Sequence, residues 1–272
     1  MRQCTRKTSH ARGFTLLEIA VVVLIIGFIV GALTIGRGLI RNAELQAIGA
    51  EYARYTTAIK AFEEKYYSLP GDFATATSVW GAAHATASTC ITTASTTKLT
   101  CNGDGNGRIT TQIAAYGTTF YEQFRAWQHL ANANLISGTF SGVSTSGTYR
   151  YTVGTNIPES DFSGAGWRLI TYTVADQVSG VAGLPALTVG DTPHHLVLWF
   201  GGSYTADSNL MGNIISPRDA QDIDLKIDDG KPRTGKLLAQ NNTGSPSSHC
   251  WQDNEYRNSG SDFCALVFKV GH

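Results

Sequence analysis

Gly13-Phe14-Thr15-Leu16-Leu17-Glu18, continued by IAVVVLIIGFIVGALTIG over residues 19–36, is the stretch whose reading decides the fold. No charged residue interrupts 19–36. Wound as a helix from Phe14 to Gly36 it reaches roughly 35 Å, at about 1.5 Å per residue. A hydrocarbon core is about 30 Å thick, so the run is long enough to cross one. Ahead of it lies a short polar leader, MRQCTRKTSHARG, with Arg2, Arg6, Lys7 and Arg12 and no acid. Positive flanks stay cytoplasmic, so the leader is expected inside and everything after the run outside. A secretory signal fits poorly: its apolar core is about 7–15 residues and its cleavage site follows that core. Here the candidate cut, after Gly13, precedes the run. A plain membrane anchor fits the length but gives no reason for Glu18, since a carboxylate costs about 2.5–3.5 kcal/mol at mid-span and less near the edge.

G-F-T-L-L-E followed by a long apolar helix resembles the class III signal of type IV prepilins and type II secretion pseudopilins. The resemblance implies that a prepilin peptidase cuts between Gly13 and Phe14 and that the new terminal Phe14 is N-methylated. It implies a role for Glu18, the fifth mature residue: neutralising the α-amine of a neighbouring subunit as helices stack. Physical chemistry agrees, because Glu18 and the amine lie one helical turn apart and a helix N-terminus favours a carboxylate. The partners implied are sister subunits, the peptidase and an inner-membrane assembly platform. The location implied is a single pass through the inner membrane with a periplasmic globular domain, then a surface pilus or a periplasmic pseudopilus. The match covers the first quarter of the chain. Many major subunits of this family carry a proline where this chain has Ile35, so the local helix melting tied to that proline is not carried over.

The remaining sequence is read on its own terms. The chain has 272 residues, with 21 basic and 21 acidic side chains. Removing the leader leaves 259 residues, 17 basic against 21 acidic, a mildly acidic product unlike a nucleic-acid binder. Leu45, Ile48, Tyr52, Tyr55, Ile59, Phe62 and Tyr66 alternate at spacings of three and four, a helical stripe. Arg41, Glu44, Glu51, Arg54, Lys60, Glu63, Glu64 and Lys65 fall largely on the other faces. One helix is therefore expected over 14–67, ended by Leu69-Pro70-Gly71-Asp72. Residues 72–110, rich in Ala, Thr, Ser and Gly, read as loop. A second helix is expected over 119–135 and strands over 149–153, 167–174, 195–200 and 265–270. Together these predict an α+β, pilin-like fold: leader 1–13, helix 14–67 with 14–36 in the membrane or filament core, and an exported domain 68–272 whose antiparallel sheet the helix covers.

Cys4 falls in the leader, leaving Cys90, Cys101, Cys250 and Cys264. An even number in an exported domain points to two disulfides with three pairings open. The local pairs, Cys90–Cys101 and Cys250–Cys264, are preferred, and the second resembles the disulfide-bounded loop of many pilins. Asn102, Asp104 and Asn106, in NGDGNGRI, resemble the first half of a calcium loop, with oxygens at alternate positions and Gly107 at the sharp turn. Ile113 stands where the closing Glu would be, so a site would borrow an acid, and Asp222–Asp229 is one source. The alternative is a turn whose side chains bond their own backbone. No other cofactor is implied. The sequence holds no phosphate loop, nucleophile elbow or HExxH, which argues against an enzyme. An anchored binding domain, with the helix only a tether, is the competing class.

Overall fold

The computed structural model describes residues 15–110, 122–144, 151–173, 194–203, 211–240, 250–257 and 263–271. The fold is an α+β arrangement of one long N-terminal helix and a four-stranded antiparallel sheet. By internal contacts the chain divides into Met1–Glu44 and Leu45–His272, and helix α1, Leu16–Tyr66, contributes to both.

The expected stop at Leu69-Pro70-Gly71 holds. α1 ends at Tyr66, and Tyr67 takes a positive φ of 52° as its N–H donates to the Glu63 carbonyl at 2.8 Å. Gly71 follows at φ 93°, a region that penalises a side chain. A Cβ there would also collide with the Glu122 carbonyl. Along 45–66 the stripe is buried as its spacing predicts: Leu45, Ile48, Tyr55, Ile59 and Phe62 are all 4% exposed or less. One charged position departs from the sequence reading. Glu51 is not on a solvated face but 4% exposed, accepting from the Trp167 indole N–H at 2.6 Å and the Asp161 N–H at 2.7 Å. An ionised carboxylate enters a core only with such donors to replace water.

The sheet joins β1 (Ala165–Thr173), β2 (His194–Gly202), β6 (Ala265–Lys269) and β3 (Leu237–Gln240) in the order β1-β2-β6-β3. Trp167 pairs with Phe200, Leu198 with Phe268, and Phe268 with Leu237. The buried half of α1 lies on this sheet: Tyr52 stacks on Phe268 at 5.0 Å and donates to the Lys269 carbonyl at 2.7 Å, while Tyr55 meets Trp167 edge-on. The expected strands 167–174, 195–200 and 265–270 appear with small shifts of boundary. Of the expected strand 149–153, the part within the described residues forms no strand, only isolated bridges at Tyr151 and Val153, the latter with Ile157. Strand β3 had not been expected, and neither had one longer helix and one hairpin. Helix α5, Pro217–Ile227, is capped by Ser216, whose Oγ accepts from the Asp219 N–H at 3.2 Å. A small hairpin pairs β4 (Trp251–Gln252) with β5 (Glu255–Tyr256).

Residues 72–110 contain two single-turn helices, α2 (Ala76–Trp80) and α3 (Ala87–Cys90), and are otherwise loop. The Cys90–Cys101 disulfide closes part of this segment, and Cys250–Cys264 closes the segment around the hairpin. Helix α4, Glu122–Asn132, does the rest of the pinning with polar side chains that are themselves buried. Arg125 donates to the Cys90 and Thr93 carbonyls, Gln128 to those of Ser95 and Leu99, and Asn132 to that of Lys98. His129 accepts the Gly71 N–H at Nδ1, so its proton sits on Nε2, facing the Thr100 hydroxyl and the Cys101 carbonyl. Burial, with Arg125 beside it, holds its pKa down to about 3, which keeps the ring neutral.

Candidate functional site

Gly13 and Phe14, the expected cleavage point, lie outside the described residues. The helix start just beyond them is described. Thr15 Oγ1 accepts the Glu18 N–H at 3.2 Å, and Glu18 Oε2 accepts both the Thr15 N–H at 2.7 Å and the Thr15 hydroxyl at 2.9 Å. This is a reciprocal capping box, T-x-x-E, which satisfies two of the backbone donors a helix end leaves unpaired. Glu18 therefore has a local structural duty that the sequence reading did not give it. The signal was present, since Thr and Glu stand three apart at the head of an apolar run.

Beyond Glu18 the helix is apolar on every side and exposed. Leu17 is 73% and Phe28 74% exposed, and the large apolar residues from Ile19 to Leu33 are about half-exposed or more. The helix is long and apolar enough to cross a membrane. A soluble helix hides such residues behind one stripe, whereas one that is hydrophobic all round meets lipid or other helices.

The second candidate site is the NGDGNG loop. Its three expected ligands each have hydrogen-bond partners within the protein. Asn102 Oδ1 accepts the Thr77 N–H at 2.8 Å, and Asn106 Oδ1 accepts the Arg108 N–H at 2.9 Å. Asp104 accepts from the Asn106 N–H and side-chain amide. Asp104 and Asn106 thus bond backbone two residues on, the local turn pattern, whereas Asn102 reaches Thr77 in α2. The acids brought to Asp104 are Asp72 and Glu122, with one carboxylate oxygen of each of the three within 4.8 Å of the other two. The 222–230 segment, named as a source, instead supplies Asp224, Asp228 and Asp229 to a cluster of its own. Around Asp104, backbone donors fill the buried carboxylates. Asp72 accepts the Asn106 and Gly107 N–H groups at 2.9 and 2.8 Å. Glu122 accepts the Asp104 N–H at 3.0 Å and the Thr110 N–H at 2.7 Å. Burial still raises both, Asp72 to about 6 and Glu122 to about 7. Asp72 and Glu122 were missed as site residues because neither is near Asp104 in sequence. Asp72 was read only as part of the helix stop.

Trp251, inside the Cys250–Cys264 segment, is half-buried: its indole N–H donates to the Ala239 carbonyl at 2.7 Å, and the Arg233 guanidinium lies 4.8 Å from its ring centroid.

Compared with known families, residues 8–34 match the prokaryotic N-terminal methylation motif. No curated protein and no solved structure matches the chain. The chain thus carries the class III prepilin signal of type IV pilins and pseudopilins, a signal that implies processing by a prepilin peptidase and assembly with other pilin-type subunits.

Proposed function

We propose that this chain is a structural subunit of a type IV pilus-like filament and catalyses no reaction itself. The observation that carries the reading is the prepilin signal at 8–34 running into a helix whose apolar residues are exposed on every side. The peptidase cuts between Gly13 and Phe14, Phe14 is methylated, and the helix holds the subunit in the inner membrane until it is drawn into the filament. There the apolar surface exchanges lipid for sister helices. That exchange brings little hydrophobic gain, so close packing and polar matching set the register. Glu18 supplies the polar match, meeting the α-amine of a neighbouring Phe14 while Thr15 holds the carboxylate in place. Calcium at the Asp72, Asp104 and Glu122 cluster is not needed for this reading, since backbone N–H groups already occupy the two buried carboxylates.

Mass spectrometry of the N-terminal peptide, from sheared surface material and from membranes, tests this directly. A peptide beginning at N-methylated Phe14 and abundant in the sheared fraction supports a pilus subunit. The same peptide confined to membranes makes the chain a secretion pseudopilin or a rare minor subunit. An uncut leader in both fractions overturns the proposal and leaves an anchored domain.

A further inference from the structure

The last turn of α1 and the loop after it border a cavity of about 540 Å³, lined among others by Glu63, Tyr66, Tyr67, Leu69, Asp72 and Phe73. That volume lies within the range of small-ligand sites, about 300–1,000 Å³. Rings form its apolar side. Tyr66 packs on Phe73 at 5.1 Å between ring centroids and on Trp80 at 5.4 Å, which fixes its ring. Tyr67 is different: it is 94% exposed, so the fold leaves its ring almost wholly to solvent. It also stands at positive φ just past the helix end, where glycine or asparagine is usual. A tyrosine is kept there with no burial to offset the backbone cost.

The polar side is acidic. Glu63 is half-buried, and among the described residues its carboxylate accepts no hydrogen bond and makes no ion pair. Asp72 is 2% exposed and accepts the Asn106 and Gly107 N–H groups at 2.9 and 2.8 Å. Those donors are neutral, so they leave its charge without a counter-charge and about half of its lone pairs open. Lys60, Lys65 and Arg108 are the basic side chains nearest in sequence, and none of them lines the cavity. Lys60 offsets Glu63 only from beyond ion-pair distance. Lys65 places its Nζ 5.1 Å from the Tyr66 ring centroid, so that ring already takes an ammonium from this chain.

Two unmatched negative charges and aromatic rings around one cavity suit an organic cation, drawn to the carboxylates by charge and to the ring faces by their quadrupoles. A metal ion seeks about six to eight oxygens and uses neither the rings nor the volume. A neutral sugar stacks on rings but leaves both charges unmatched. Leu69 and Phe73 add apolar wall for a methylene stem, which lysine and arginine carry behind their charged heads. We propose that this cavity docks a lysine or arginine side chain of a protein partner, its head at Glu63 and Asp72 and its stem along the rings. Every lining residue belongs to the Leu45–His272 unit, so the site stands or falls independently of filament assembly through the apolar helix.

The test uses the full-length protein in detergent and saturation-transfer NMR of one probe, N-acetyl-lysine amide. The expected result is saturable binding, displaced by N-acetyl-arginine amide and absent for N-acetyl-norleucine amide, which keeps the stem without the charge. Glu63→Gln should weaken binding about tenfold, the loss of one charged contact. Tyr67→Ala should weaken it about threefold, the loss of one ring face. Glu63 has no partner in the fold and Tyr67 is exposed, so both variants should melt like the parent. Glu64→Gln removes an exposed acid outside the cavity and should change nothing. The proposal is overturned by no saturable binding, by equal binding of the norleucine probe, or by an equal loss in Glu64→Gln. Displacement by galactose, or by Ca2+ at matched ionic strength, overturns it too, in favour of a sugar or a metal.

Discussion

The two halves of α1 are one continuous helix with two opposite burial patterns. From Leu16 to Leu33 its large apolar side chains are exposed all round, and from Leu45 to Phe62 they are hidden along one stripe. Propensity does not separate the halves, since both are helical. The difference lies in what each can bury within its own chain. The second half has a sheet to lie on, while the first presents a surface that only lipid or another copy would cover. A continuous helix therefore says little about function, and the change of periodicity within it says much.

The largest effect that should separate the halves is on folding. Phe62 is 0% exposed and meets the rings of Tyr66, Phe73, Trp80 and His129. Phe62→Ala should cost about 3–5 kcal/mol in a denaturant melt followed by tryptophan fluorescence. Leu24→Ala, at a residue 60% exposed, should stay within about 0.5 kcal/mol in the same melt. Equal losses would erase the contrast.

A polar version comes next. Glu51→Leu strands the Trp167 indole N–H and the Asp161 N–H, so a loss of about 2–3 kcal/mol is expected. Glu51→Gln keeps one acceptor oxygen and should lose less. If Leu were tolerated as well as Gln, burial of Glu51 would be incidental.

Smaller still is a pH effect confined to the globular unit. Asp72, Glu122 and Asp224 have folded pKa values raised by burial to about 6, 7 and 7. A raised carboxylate stabilises fully below its unfolded value and loses that contribution as pH climbs through the folded one. His129, held down to about 3, contributes in the opposite sense, fully above about 6.5 and less as pH falls. Only the carboxylates act between pH 6.5 and 8, so in chelator the melting midpoint should fall by a few degrees across that window. A rising midpoint would contradict the burial of these acids.

Smallest in any melt, and largest in assembly, is Glu18→Ala. The capping box contributes about 1 kcal/mol to one helix end, so export, cleavage and the globular melt should be nearly unchanged. Filament yield should drop sharply in a shearing assay. Normal yield would leave Glu18 with its capping role alone.

Much of this was legible because it was periodic. Spacings of three and four marked the stripe of α1, Leu-Pro-Gly marked its end, and continuous apolar runs marked β1, β2 and β6. Helix α5 was not, because Pro217, Ala220 and Ile223 are its only buried apolar side chains and its acids were read only as a source of cation ligands. Yet Ser216-Pro217 ahead of Asp219 is a helix-start signal. Glu51 escaped because the helical pattern assigns a charge to the wet face by default; its donors come from Trp167 and Asp161, more than a hundred residues away. The acidic clusters were half-visible. Asp104 stood in its motif, but Asp72 and Glu122 join it only through the fold.

The strand order carries a consequence for how the protein is made. β6 lies between β2 and β3, and among the described residues β3 has no other neighbour in the sheet. A ribosome delivers β2 and then the 62 residues from 203 to 264 before β6 appears. Through that interval β2 presents an open apolar edge, the kind of surface that invites pairing with a stranger. Closing the sheet waits on β6, whose pairing with β2 joins residues far apart in the chain, and such contacts form slowly.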